Sequence, residues 1–358
     1  MIFTIHYIRG IAALLVVLFH FRADLNKVYS QQDLGDLLFG SGMAGVDLFF
    51  IISGFIIVVS TSRIESNSGI KFILRRVFRI YPLLIFSVFM FWVLMTDMKS
   101  FTLLFKSMLP MQLNYNEPSP YYGYNMLNPA WTLTYEIYFY AIFFVGMSIS
   151  HKYRSIISSS LILVIMASVQ KFYGPWFIDA NLSVNASPDN GFLPLIKLAS
   201  SPMLIEFVIG IALAELYMKI PATRLRVNVW PVVLLGCTIY FILFSSKAYF
   251  SHGILGFGTW SLFLIIPFLL YEKTADVKPS RILAFLGDIS YPLYITHIVT
   301  AVIVSNYNAY VPAYSYATGV SMLLIYLTCS ILFAYVCHVF IEKPMHRISR
   351  KIIRRFDT

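Results

Sequence analysis

Charge is scarce in this chain. Asp, Glu, Lys and Arg make up 12% of its 358 residues, about half the share found in a soluble globular domain. Cysteine is scarcer: Cys237, Cys329 and Cys337 are the three, and each sits in an apolar run. Their spacing fits neither a metal site nor a disulfide framework, so they read as packing residues. There is no internal repeat, no low-complexity tract and no polar stretch that reads as a second soluble domain. These shortages exclude a large soluble core and a disulfide-stapled scaffold.

What remains is apolar. Hydrophobic residues reach 58% and mean hydropathy is +0.74, which points to a polytopic membrane protein. Runs long enough to span, about 17–25 residues each, lie near 5–21, 44–60, 79–96, 130–149, 155–172, 201–218, 230–245, 253–271, 283–303 and 317–341. The expected fold is therefore all-α: a bundle of about ten transmembrane helices with both termini cytoplasmic. Residues 1–345 form the membrane domain and 346–358 a basic cytoplasmic tail. The segment 101–109 is too short to cross. The first run follows Arg9 as a signal peptide would, but no small-x-small cleavage site precedes residues 21–24, so it is expected to stay as a span.

The net charge of +10 raises the question of a nucleic-acid partner. Its distribution answers no. With the termini inside, 20 of the 27 Lys and Arg residues lie on the cytoplasmic side, including "RRVFR" (75–79), "RLR" (224–226) and the tail "HRISRKIIRR" (346–355). That is the positive-inside pattern. The tail also suits a surface of anionic membrane lipid, although an ordinary topology signal is the better explanation.

Several polar groups sit where lipid makes them costly, about 2.5–3.5 kcal/mol for a charge at mid-bilayer. In "YIRGIAALLVVLFHF", Arg9 and His20 are eleven residues apart. On a helix they share one face and are separated by roughly 16 Å. A neutral imidazole near a carboxylate can accept a hydroxyl proton; a hydrogen-bonded core histidine is the alternative. In "GVDLFFIISGF" (45–55), Asp47 is either the group that orients His20 or a helix N-terminal carboxylate favoured by the dipole. In "RRVFRIYP" (75–82), Arg76 and Arg79 face the same way, and paired guanidiniums suit phosphate oxygens, or else anchor topology. "NPAWTLTYEIYFY" (128–140) places Trp131 and the tyrosines in an aromatic belt, which leaves Glu136 unexplained. His297 falls in "FLGDISYPLYITHI" (285–298), and "IEKP" (341–344) closes the last span. Glu206, Glu215 and His338 read as helix-pairing groups or functional ones.

Taken in order, these six stretches resemble the acyltransferase-3 family of integral membrane acyltransferases over nearly the whole chain. Arg9 and His20 fit the basic residue, ten-residue gap and histidine of its first helix, and Arg76 and Arg79 fit its arginine pair. The run Trp131 to Ile137 departs from the family's common "WSL" form and is more similar to the exopolysaccharide-modifying branch. The resemblance implies transfer of an acyl group, usually acetyl, from cytoplasmic acetyl-CoA or another acyl-CoA to a carbohydrate hydroxyl, with no metal. It implies His20 as general base, with Arg9, Asp47 and Glu136 beside it, and Arg75, Arg76 and Arg79 on the donor's phosphates. Trp131, Tyr122 and His297 would contact the acceptor, with Tyr121 and Tyr124 as further stacking rings. The expected setting is the bacterial cytoplasmic (inner) membrane, with a glycan or lipid-linked saccharide acceptor and a homo-oligomer as a possible state. Two other readings stay open: an acyl carrier serving a separate extracytoplasmic enzyme, and a glycan transporter. Against the transporter, the sequence shows no repeated halves and no paired Gly/Pro-broken helices.

Overall fold

The structure is a computed structural model that describes residues 2–95, 100–220, 228–275, 277–307, 314 and 316–356. The "RLR" cluster at 224–226 lies outside the described residues. Among them the protein is helical throughout. The order is α1 (Phe3–Phe21), α2 (Leu34–Phe39), α3 (Gly45–Ser60), α4 (Ser68–Leu94), α5 (Phe101–Met108), α6 (Trp131–Ile149), α7 (Arg154–Tyr173), α8 (Leu193–Ala199) and α9 (Leu204–Lys219). Then follow α10 (Trp230–Ser246), α11 (Phe257–Thr274), α12 (Arg281–Asp288), α13 (Ser290–Asn306), α14 (Val320–Cys337), a π-helical turn at His338–Glu342, and α15 (Lys343–Arg354).

Each of the ten expected apolar runs falls on helix. By length and composition, six helical stretches among the described residues can cross a membrane, or eight if each of two bent pairs counts as one span. The helices on the seventh and eighth runs, α10 with 17 residues and α11 with 18, are not among them. The chain is an integral membrane protein.

The bent pairs overturn one expectation. Helices α8 and α9 meet at 47°, and α12 and α13 at 65°. Each pair is a broken span or a re-entrant loop, so the expected absence of paired broken helices no longer weighs against a transporter. The second break has a local use. Helix α12 ends at Gly287–Asp288, and the Gly287 carbonyl at the break accepts from both Arg9 Nη2 and Ser290 Oγ. Backbone freed this way is tolerated at membrane depth only where protein or a cavity receives it.

The core is held by close helix approach. Helix α3 packs along α9, where a Cβ on Gly54 would meet the Phe207 carbonyl oxygen at 2.2 Å and one on Gly210 the Ile51 oxygen at 2.1 Å. Glycine at both positions lets the backbones touch. Phe50 stacks on Phe207, which stacks on Phe139, tying α6 to that seam. Glu215 accepts from Ser155 Oγ and so pairs α9 with α7, the helix-pairing role open to it from sequence.

Candidate active site

Three cavities share walls through the bundle. The first opens at the basic end, with a volume of about 610 Å³. Helix α4 brings Arg75, Arg76 and Arg79 to it. The C-terminal helix α15 packs on α4 and brings Lys343, His346, Arg347 and Arg350. The expected boundary between membrane domain and tail at 345/346 thus falls inside one helix, whose basic residues face the cavity. Arg76 Nη2 donates to Ser60 Oγ at 3.0 Å, and its guanidinium lies over the Tyr140 ring at 4.8 Å. Its Nε is buried with no hydrogen-bond partner. Arg75 is ion-paired with Glu65 at 2.7 Å, so part of its charge is already matched.

Arg76 and Arg79 also line a narrow central cavity of about 50 Å³, which they share with Arg9 and Glu136. Arg9 Nε donates to Ser290 Oγ at 2.8 Å and Nη2 to the Gly287 carbonyl at 2.9 Å. Both acceptors are neutral, so no carboxylate is hydrogen-bonded to the guanidinium, although Glu136 lines the same cavity. Glu136 accepts from Ser53 Oγ at 3.1 Å and from the Tyr140 hydroxyl. Tyr140 thereby links this carboxylate to the ring under Arg76. The Tyr294 hydroxyl is fixed by the Pro129 carbonyl at 3.0 Å, and with Val46 its side chain borders both this cavity and the next.

The third cavity, about 240 Å³, is aromatic. His20 lines it with Trp131, Tyr121, Tyr124 and His252. His20 Nδ1 lies 2.8 Å from the Val16 carbonyl. A carbonyl only accepts, so Nδ1 carries the proton and Nε2 of the neutral ring is a free base. Burial, helped by Tyr124 and Asp47, raises the Tyr121 phenol above its ordinary value and keeps it neutral. Arg9 and His20 therefore line adjoining cavities that share Val46 and Tyr294 as walls.

Three expected site residues take other places. Asp47 does not hold His20. It is fully buried in the first turn of α3, where it accepts from His252 Nδ1 at 2.7 Å and from the Gly253 backbone N–H at 2.8 Å. His297 is fully buried and does not line the aromatic cavity; its ring packs 4.8 Å from His20 and backs it. Tyr122 is fully buried and stacks on Tyr115. The chain there passes through positive φ at Tyr122, Gly123 and Tyr124, and this turn gives the cavity to Tyr121 and Tyr124 instead. His252 drew no attention from sequence. It sits in the short connection before α11, outside any apolar run with a readable period, and meets Asp47 across 205 positions.

The comparisons with known proteins bear on these cavities. The family model described as "Acyltransferase domain" matches residues 2–339. The chain belongs to this family. It is a membrane O-acyltransferase, and the family match ends just before α15. The acyltransferase is 26% identical over 320 residues to the exopolysaccharide production protein ExoZ of Rhizobium meliloti (strain 1021), covering 87% of this chain and 92% of ExoZ. It is 24% identical over 350 residues to the O-acetyltransferase OatA of Staphylococcus aureus (strain NCTC 8325 / PS 47), covering 86% of this chain. The match spans 53% of OatA's length. No solved structure matches the chain.

Proposed function

We propose that this acyltransferase moves an acetyl group from cytoplasmic acyl-CoA to a hydroxyl of a surface or exported polysaccharide, in the bacterial cytoplasmic membrane. One observation carries the reading: a basic cavity and an imidazole-bearing aromatic cavity are joined through a narrow chamber whose walls they share. The basic cavity fits a polyanionic donor. Arg76 offers a buried, unpartnered Nε, and α15 adds four basic side chains, of which His346 also contacts Glu342 at 3.7 Å. Guanidiniums bind phosphate oxygens through paired N–H donors. When bound, acyl-CoA supplies a thioester carbon and a thiol leaving group on a long thin arm.

The chain's own residues then do the following. Arg76, Arg79, Lys343, Arg347 and Arg350 hold the phosphates. Arg9, whose guanidinium hydrogen-bonds only neutral oxygens in the central chamber, stabilises negative charge that develops along the arm's path. Glu136 and Tyr140 fix Arg76 from that side. Trp131, Tyr121 and Tyr124 take the acceptor ring on their faces. His20 Nε2 removes the hydroxyl proton as the sugar oxygen bonds to the acyl carbon, and returns it to sulfur as the carbon–sulfur bond breaks. His297 packs behind the His20 ring and limits its rotation. ExoZ carries exopolysaccharide in its name, and that is the acceptor class taken here.

The test is reconstitution of the folded wild type, His20→Ala and Arg76→Ala with labelled acetyl-CoA and polysaccharide. His20→Ala is expected to bind donor but not transfer, and Arg76→Ala to bind donor weakly. Full transfer by His20→Ala overturns the mechanism. The size of OatA beyond the match favours one second reading, that of an acyl carrier serving a separate enzyme. Thioester hydrolysis or trapped acyl without glycan product supports that carrier, and no thioester consumption at all supports transport.

A further inference from the structure

Asp47 and His252 form a buried dyad that the mechanism above does not use. Asp47 is 0% exposed and His252 3%. The carboxylate spends one oxygen on His252 Nδ1 and the other on the Gly253 N–H. Because a carboxylate accepts, Nδ1 carries the proton and Nε2 of the neutral ring is an acceptor. Nε2 has no hydrogen-bond partner among the described residues, and His252 lines the same aromatic cavity as His20. Its ring is braced edge-on by Tyr121 and Trp131, both at 5.7 Å, and by Phe257 at 5.3 Å. It cannot turn without breaking the Asp47 bond. The cavity therefore holds two imidazoles, each with its tautomer fixed from behind and each presenting Nε2.

We infer that His252 is an acceptor-binding residue: its Nε2 receives a second hydroxyl of the sugar and thereby selects which hydroxyl reaches His20. The ligand class is a saccharide ring with neighbouring hydroxyls, one ring face lying on the aromatic wall. Asp47 is a positioning residue acting through His252. This assignment rests on the acyltransfer reading given above.

Two substitutions separate the roles of the ring nitrogens. In His252→Asn, the amide NH₂ stands near the old Nδ1 and keeps a donor for Asp47 while the acceptor is lost. In His252→Gln, the amide oxygen stands near the old Nε2. Each full-length variant is reconstituted with acetyl-CoA and polysaccharide from cells lacking this protein, and product positions are read by NMR. For His252→Asn we expect the acceptor KM to rise about tenfold, the loss of one hydrogen bond. Its kcat and donor KM should change little, and acetyl should spread over more than one hydroxyl. His252→Gln should recover position selectivity. Unchanged acceptor KM and unchanged product positions in His252→Asn overturn the assignment and leave the dyad structural. A kcat as low as that of His20→Ala, with the acceptor KM intact, overturns it in favour of proton transfer. Wild-type protein that consumes no acetyl-CoA removes the acyltransfer reading itself, and the assignment with it.

Discussion

At the scale of single residues, the proposed transfer depends on where each proton and charge is held. Val16 fixes the His20 tautomer that the proposed base needs; His252 has the same property through a carboxylate. Arg76 is a different case, since its value is geometric. A lysine there keeps the charge but loses the planar fork and the stacking on Tyr140. Arg76→Lys is therefore expected to fold normally and to weaken donor binding by about tenfold, the scale of one charge-assisted hydrogen bond. Calorimetry with coenzyme A would measure it, and wild-type affinity would show that charge alone suffices. Residue identities were partly legible in the sequence: an arginine, an imidazole and two guanidiniums in apolar runs announce expensive groups with a purpose. Their partners were not. Asp47 lies near the same end of the bundle as His20, and nothing local in the sequence says that it turns instead to a loop residue 205 positions away. Tyr122 and Tyr121 are adjacent, so only the backbone turn decides which ring reaches the cavity.

At the scale of elements, two features set the site's shape, and one was readable beforehand. The apolar runs place the helices well because hydrophobic length is a property of the segment itself. Helix breaks depend on what receives the freed backbone, as Arg9 receives Gly287, and that is a tertiary fact. The α3–α9 seam is the sharper test of packing. Glycine at 54 and 210 permits backbone contact that any Cβ forbids. Gly210→Leu should force the helices apart at a cost of about 1–3 kcal/mol or more, the range for overpacking. Because Asp47 rides on α3, the variant should lower the unfolding temperature in detergent and also loosen the His252 dyad. A melting temperature equal to wild type would show that the seam yields cheaply. Helix α15 offers an independent prediction. The family match ends at residue 339, yet α15 lines the basic cavity. Replacing Lys343, Arg347 and Arg350 together with glutamate reverses the sign of that wall. It should weaken coenzyme A binding more than binding of a phosphate-free pantetheine thioester, whereas equal weakening of both would mean that the helix acts only by packing.

For the whole molecule, the conduit has work to do only if its two ends face different compartments. Along α1 the Arg9 and His20 positions differ by roughly 16 Å of axial rise, about half a hydrocarbon core. Arg9 and the guanidinium cluster lie toward the end that carries most of the Lys and Arg, and His20 toward the end with the aromatic loops. Cationic segments stay on the cytoplasmic side, the side of the proposed acyl-CoA donor, so the aromatic cavity should open to the far side. A direct test uses a background with Cys237, Cys329 and Cys337 replaced by alanine. Single cysteines are then placed at exposed Asn116, in the connection between α5 and α6, and at exposed Lys351 on α15. In intact cells an impermeant maleimide should label Asn116→Cys at once and Lys351→Cys only after the membrane is opened. Labelling of both from one side would place donor and acceptor in the same compartment. The imidazole chamber would then have no need of a conduit, and the cavities would serve a soluble sugar on the cytoplasmic face. The opposite-side result would set the arginine cavity and the imidazole cavity toward different compartments, as the proposed transfer requires, with about half a hydrocarbon core between Arg9 and His20.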